Sequence, residues 1–203
     1  MPLKPSNGRR RVVIEDVNPQ IDAGRHPVCR VAGDEVVVTA AVFADGKDDL
    51  AARLLYRHSN DRRWSFLPMR AMGNDVWNGT FVVDKLGDWR FTLLGWVDHF
   101  ATWAGELAKR IAAQKEPEIT GTAPGKVSGR DAKLNVRFDF SAQDVALALR
   151  SGAALIHEGA RRARSNDAKR LHEIAQSFEN LAVENRSNYD NPCDEELLQL
   201  MRN

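Results

Sequence analysis

From Arg11 to Trp103 the apolar residues of this chain arrive in short β-branched or aromatic runs, each closed off by Gly, Asp, Asn or Pro. An antiparallel sandwich requires that rhythm, because each strand must alternate between core and solvent and then reverse. The predicted strands are Arg11 to Asp16, Glu35 to Phe43, Ala52 to His58, Ser65 to Met69, Val76 to Val83 and Trp89 to Val97. In Glu35-Val36-Val37-Val38-Thr39-Ala40-Ala41-Val42-Phe43 nearly every position is apolar, so this strand is expected to be central, with both faces covered. Turn chemistry agrees at Ala32-Gly33-Asp34, Asp45-Gly46, Gly73-Asn74-Asp75 and Leu86-Gly87-Asp88, where the residue types tolerate the positive φ of a tight reversal. Trp77, Trp89 and Trp96 lie inside strand runs and are expected to fill the core rather than to offer a sugar-stacking platform.

After Thr102 the apolar period lengthens. Trp103, Leu107 and Ile111 are spaced by four, a short helical continuation. Lys115 to Arg130 then carries Pro117, Gly121, Pro124, Gly125 and Gly129 among Thr and Ser, the composition of a linker or mobile loop. Strict alternation over Leu134-Asn135-Val136-Arg137-Phe138-Asp139-Phe140 predicts one more strand. Helices follow. Val145, Leu149, Gly152, Ile156, Gly159 and Ala163 draw an apolar stripe whose small members allow close approach of a neighbour. A second helix starts near Asn166 or Asp167 and places Ala168, Leu171, Ala175, Phe178 and Ala182 on one face. Asn191-Pro192-Cys193-Asp194-Glu195 has the cap, proline and early acids that open a third. A further bundle partner is expected beyond Asn203.

Charge narrows the function classes. The chain has 29 Lys and Arg against 28 Asp and Glu, so no global field recruits nucleic acid or an anionic membrane. Arg9-Arg10-Arg11 and Arg161-Arg162-Ala163-Arg164 lack interleaved aromatic platforms and read as solvated tail and helix face. Cys29 and Cys193 have no metal or redox spacing, no apolar leader is present, and a cytoplasmic, soluble home is expected.

Catalytic constellations are not legible. Asp98-His99 sits where a strand meets a helix and reads as structural or interfacial, together with Trp96 and Trp103. Gly121-Thr122-Ala123-Pro124-Gly125-Lys126-Val127-Ser128 has three residues between its glycines and no Ser or Thr directly after Lys126, so it is not a phosphate loop. His26, His58, His99, His157 and His172 are scattered, and neither a metal nor another cofactor is expected.

An ordered series of segments nevertheless resembles one family: Ile14 to Val28, Val42-Phe43-Ala44-Asp45-Gly46, Leu54-Leu55-Tyr56-Arg57, Pro68-Met69, Gly73-Asn74-Asp75, Trp77-Asn78-Gly79, Asp84 to Trp103, Ala142-Gln143-Asp144-Val145 and Ser151 to Ile156. These are similar to the N-terminal region of the GlgE-type α-1,4-glucan:maltose-1-phosphate maltosyltransferases of the α-amylase superfamily. Val76 departs from the Arg usual after Asn-Asp, and Lys115 to Ser141 looks like an insertion. The resemblance implies an immunoglobulin-like antiparallel β-sandwich N domain followed by a small, incomplete helical bundle, the S domain, both contributing to a homodimer interface. Accordingly residues 1–10 are expected to be a disordered tail, 11–140 the sandwich with a flexible loop or insertion at 115–130, and 141–203 the partial bundle. It also implies that a catalytic (β/α)₈ barrel, with an Asp nucleophile and a Glu acid/base for maltosyl transfer, comes afterwards. Such a pair must face one glycosidic bond from about 5 Å apart, and no residues here supply it, so this chain is expected to be a non-catalytic N-plus-S piece. The rival reading is an α-glucan-binding module whose tryptophans grip the sugar.

Overall fold

The computed structural model describes residues 11–115, 141–184 and 190–202. The expected tail 1–10 and strand 134–140, and all but the first residue of the expected loop 115–130, lie outside them. The chain divides into two compact units, Met1–His99 and Phe100–Asn203.

The first unit holds β1 (Val12–Asn18), β2 (Glu35–Ala44), β3 (Leu50–His58), β4 (Ser65–Pro68), β5 (Arg70–Gly73), β6 (Val76–Val82) and β7 (Trp89–Val97). They form two sheets with orders β1-β2-β6-β5 and β4-β3-β7, and every pairing is antiparallel. This is the expected sandwich followed by helices. β5 is additional. It hydrogen-bonds to β6 across Asn74-Asp75, whose φ values of 49° and 60° are those of a two-residue hairpin turn with the hand that matches strand twist. Between β4 and β5 the chain changes sheets at Met69, which is buried and donates its backbone N–H to the Ala52 carbonyl at 2.9 Å.

Inward alternation builds the core: Val36, Val38, Ala40 and Val42 from β2 meet Ala52 and Leu54 from β3 and Phe81 from β6. Burying each large aliphatic side chain contributes about 1.5–3 kcal/mol. β2 is interior to its sheet, paired to β1 and β6, but the expected cover on both faces is corrected: Val37 is 52% exposed. Apolar composition cannot distinguish a strand with two covered faces from one whose second face is left open. Trp77 and Trp89 pack against the core, whereas Trp96 is 38% exposed, so its assignment to the core is also corrected. The reason is parity. Trp89 and Trp96 are an odd number of residues apart on one strand, so they point to opposite faces.

The second unit is helical: α1 (His99–Lys115, entered at the division), α2 (Ala142–Arg162), α3 (Ser165–Glu184) and α4 (Glu195–Arg202). The division falls after His99, the first residue of α1, and Phe100, Trp103, Leu107 and Ile111 are buried in the helical core. Ser141 caps α2 with a reciprocal pair: its hydroxyl accepts from the Asp144 N–H at 3.2 Å and its own N–H donates to Asp144 Oδ2 at 2.9 Å. Hydrogen bonds from the Ser141 hydroxyl and backbone hold the Asp144 carboxyl below its usual range. Of the expected α2 stripe, Val145, Leu149, Gly152 and Ile156 are buried, and Leu171, Ala175, Phe178 and Ala182 of α3 are buried as read. α4 starts later than its proline implied. Asp194 Oδ1 accepts from Leu197 N–H at 2.8 Å and serves as the cap, while Asn191 Oδ1 accepts from Cys193 N–H at 3.1 Å in the turn before it.

The two thiols should differ sharply in reactivity. Burial, then the neighbouring Asp194 charge, pushes the half-buried Cys193 thiol up to about 11, whereas Cys29 is exposed. In mildly alkaline buffer a thiolate reagent is expected to label Cys29 quickly and Cys193 slowly, as followed by peptide mass spectrometry. Equal rates at both would contradict this placement.

Candidate functional site

Within the first unit the two edge strands β1 and β7 converge at one end and part at the other. At the closed end Gly95 permits a close approach: a Cβ there would lie 3.0 Å from Val12 Cγ1 and 3.3 Å from Val42 Cγ1. At the other end β1 breaks register between Glu15 and Asn18, with Asp16 at φ 51°, which turns the strand away. The gap is a cleft of about 740 Å³, inside the range of small-molecule sites. Phe81, Trp89 and Phe91 line it, together with Val17, Val36 and residues of the segment between β1 and β2.

One side of the cleft, Val83 to Asp88, is tied down from several directions. Gly33 N–H donates to Val83 O at 2.7 Å, Val83 N–H to Asp34 O at 3.1 Å, and Ser59 N–H to Asp88 O at 2.8 Å. The Trp89 indole N–H donates to Lys85 O at 3.1 Å. Asn60 N–H donates to His58 Nδ1 at 3.2 Å, so Nε2 carries the hydrogen and donates to Leu86 O at 3.1 Å. His58 is thereby a satisfied buried histidine. The lining carries Arg30, Lys85 and Arg90 against one carboxylate, Asp88. Among the described residues none of these three cations forms a salt bridge.

The outer face of the three-stranded sheet carries a second feature, which shares Trp64 with the cleft. Trp64 and Phe66 are 37% and 61% exposed, and Trp96 joins them from β7. The Arg53 guanidinium lies 4.9 Å from the Phe66 ring centroid and 5.4 Å from that of Trp96, and Arg57 lies 4.7 Å from that of Trp64. Each such contact is worth about 0.5–1 kcal/mol at an exposed site. Across the sandwich, Val13, Val37, Val76 and Val82 are exposed on the four-stranded sheet. Sequence reasoning did not single out Trp64, Phe66 or Arg53. The available signal was register: with Leu67 paired to the core residue Leu54, Phe66 must face outward.

The four residues singled out from the sequence occupy different surroundings. Trp96 is on the outer sheet face. Asp98 donates its backbone N–H to Asp49 O at 2.8 Å. His99 is exposed at the first position of α1. Trp103 is buried in the helical core, its Nε1 donating to Ala148 O at 2.8 Å and its ring centroid 5.7 Å from that of Phe178. The fold also brings together His157 and His172, ring centroids 4.8 Å apart, with Glu179 Oε1 3.4 Å from His157 Nε2. Among the described residues no group of three His, Cys, Asp or Glu is placed to hold a metal ion, and no helix is long and apolar enough to cross a membrane.

Residues 10–203 match the family model of the N/S domain of α-1,4-glucan:maltose-1-phosphate maltosyltransferase. The chain belongs to that family. The maltosyltransferase of Chlorobaculum tepidum is 41% identical over 169 residues, covering 83% of this chain and 21% of that protein. That of Salinibacter ruber is 30% identical over 170 residues, covering 84% and 22%. Maltosyltransferase 2 of Streptomyces coelicolor is 31% identical over 168 residues, covering 76% and 25%. The chain thus spans about a fifth to a quarter of these relatives' length, within the N/S region of the maltosyltransferase family.

Proposed function

We propose that this chain is the non-catalytic N-terminal scaffold of a cytoplasmic maltosyltransferase, which passes maltosyl units from maltose 1-phosphate to α-1,4-glucans in glycogen or α-glucan synthesis. Its role is to assemble the homodimer and to dock against the catalytic barrel. The observation that carries this reading is the uncovered apolar and aromatic surface on both outer sheet faces, Val13, Val37, Val76 and Val82 on one and Trp64, Phe66, Leu94 and Trp96 on the other. Contiguous apolar surface of this kind is characteristic of an interaction site. Arg53 and Arg57 laid on the rings add the residue type that anchors protein interfaces. The match to the N/S-domain family supports the placement of the chain in the N-terminal region of such an enzyme. Incubated alone with maltose 1-phosphate and glycogen, the chain is expected to release no phosphate above a blank. Sustained release would overthrow the scaffold reading.

A second reading is supported by the exposure of Trp64 and Trp96 on one face: contact with an α-glucan chain through those rings. Titration calorimetry with maltoheptaose separates the two readings. Heat abolished by Trp64→Ala or Trp96→Ala favours glucan contact, and absence of heat removes it.

A further inference from the structure

We propose that the cleft between β1 and β7 is a second ligand site of the maltosyltransferase, binding a phosphorylated maltosaccharide of which maltose 1-phosphate is the simplest. The inference rests on the proposed function for the identity of the sugar, and on the cleft itself for the site. Its volume of about 740 Å³ suits a small ligand, and its walls are aromatic and aliphatic. Trp89 and Phe91, which are only partly buried, supply flat apolar surface of the kind that accepts the face of a sugar ring. Charge then selects between the two compounds in the relatives' names. The α-1,4-glucan is neutral, whereas the phosphate ester is an anion, and on the side of Trp89 and Phe91 the lining sets Arg30 and Lys85 against Asp88 alone, Arg90 lying on the opposite face of β7. A phosphate meeting these cations makes charge-assisted hydrogen bonds, about twice as strong as neutral ones. The backbone bonds that fix Val83 to Asp88 mean that Lys85 is presented by an already ordered segment, which limits the ordering cost of binding.

The full chain titrated by calorimetry with maltose 1-phosphate, maltose and inorganic phosphate tests this. Maltose 1-phosphate is expected to bind, and each of the other two to bind on the order of tenfold more weakly. Lys85→Ala and Arg30→Ala are each expected to weaken it by roughly tenfold, and added salt to weaken it further. Both side chains are exposed, so the variants retain the far-ultraviolet dichroism of the parent. No heat with maltose 1-phosphate, equal binding of maltose or of inorganic phosphate, or heat unaltered in both variants would overturn the site. Phosphate release, followed in the same samples, reads a different claim: release would sink the non-catalytic reading and leave the cleft standing, whereas missing heat without release sinks the cleft alone.

Discussion

Gly152→Ala is expected to destabilise the helical unit by about 2 kcal/mol or more, although glycine to alanine inside a helix ordinarily stabilises by about 1 kcal/mol. The sign reverses because a Cβ at this position would enter the six-membered ring of Trp103. That ring has little room to retreat. Its Nε1 is bonded to Ala148 O at 2.8 Å, and Phe100 and Phe178 lie against it at centroid distances of 5.3 Å and 5.7 Å. Gly159 is the internal control. There the added Cβ would meet the Met201 sulfur at 2.7 Å, the far end of a flexible side chain, so Gly159→Ala is expected to be neutral or stabilising. Thermal unfolding followed by far-ultraviolet dichroism measures both, and a chain of this length shifts by about 2–4 °C per kcal/mol. Similar shifts of the same sign in both variants would contradict the close approach of α1 to α2.

Phe81→Ala is expected to cost about 3–5 kcal/mol, the range for emptying a buried aromatic site. Phe81 is buried between the sheets, with its ring centroid 4.6 Å from that of Tyr56, 6.1 Å from Trp89 and 6.3 Å from Phe91. Loss of the ring removes area from each of these partners and leaves a cavity that opens onto the cleft. Urea unfolding read by tryptophan fluorescence gives the value. A loss below about 1 kcal/mol would mean that the sandwich interior can collapse around the site, contrary to the packing described.

How much of this was legible depends on range along the chain. The six predicted strands reappear with shifts of at most a few residues at their ends, because alternation and turn chemistry are local. β5 was not, since Arg70-Ala71-Met72-Gly73 carries no apolar alternation and becomes a strand through its hairpin with β6. Trp96 could have been placed by parity along β7, yet reading every tryptophan as core concealed it. The cleft was beyond reach. It combines a register break at Asp16, a close approach at Gly95 and a histidine on β3 holding a segment nearly thirty residues later, and no local pattern announces that these meet. Cys193 and Asp194 show the same limit on a smaller scale: proline at position 192 pointed to one helix start, and a side-chain hydrogen bond set another.

Sedimentation equilibrium of the intact chain, across micromolar concentrations, addresses the scaffold reading most directly. The account predicts a concentration-dependent rise from one to two chains per particle, with the dimer weakened when Phe66 or Val37 is replaced by glutamate. A particle of one chain at every concentration up to the high micromolar range would contradict it.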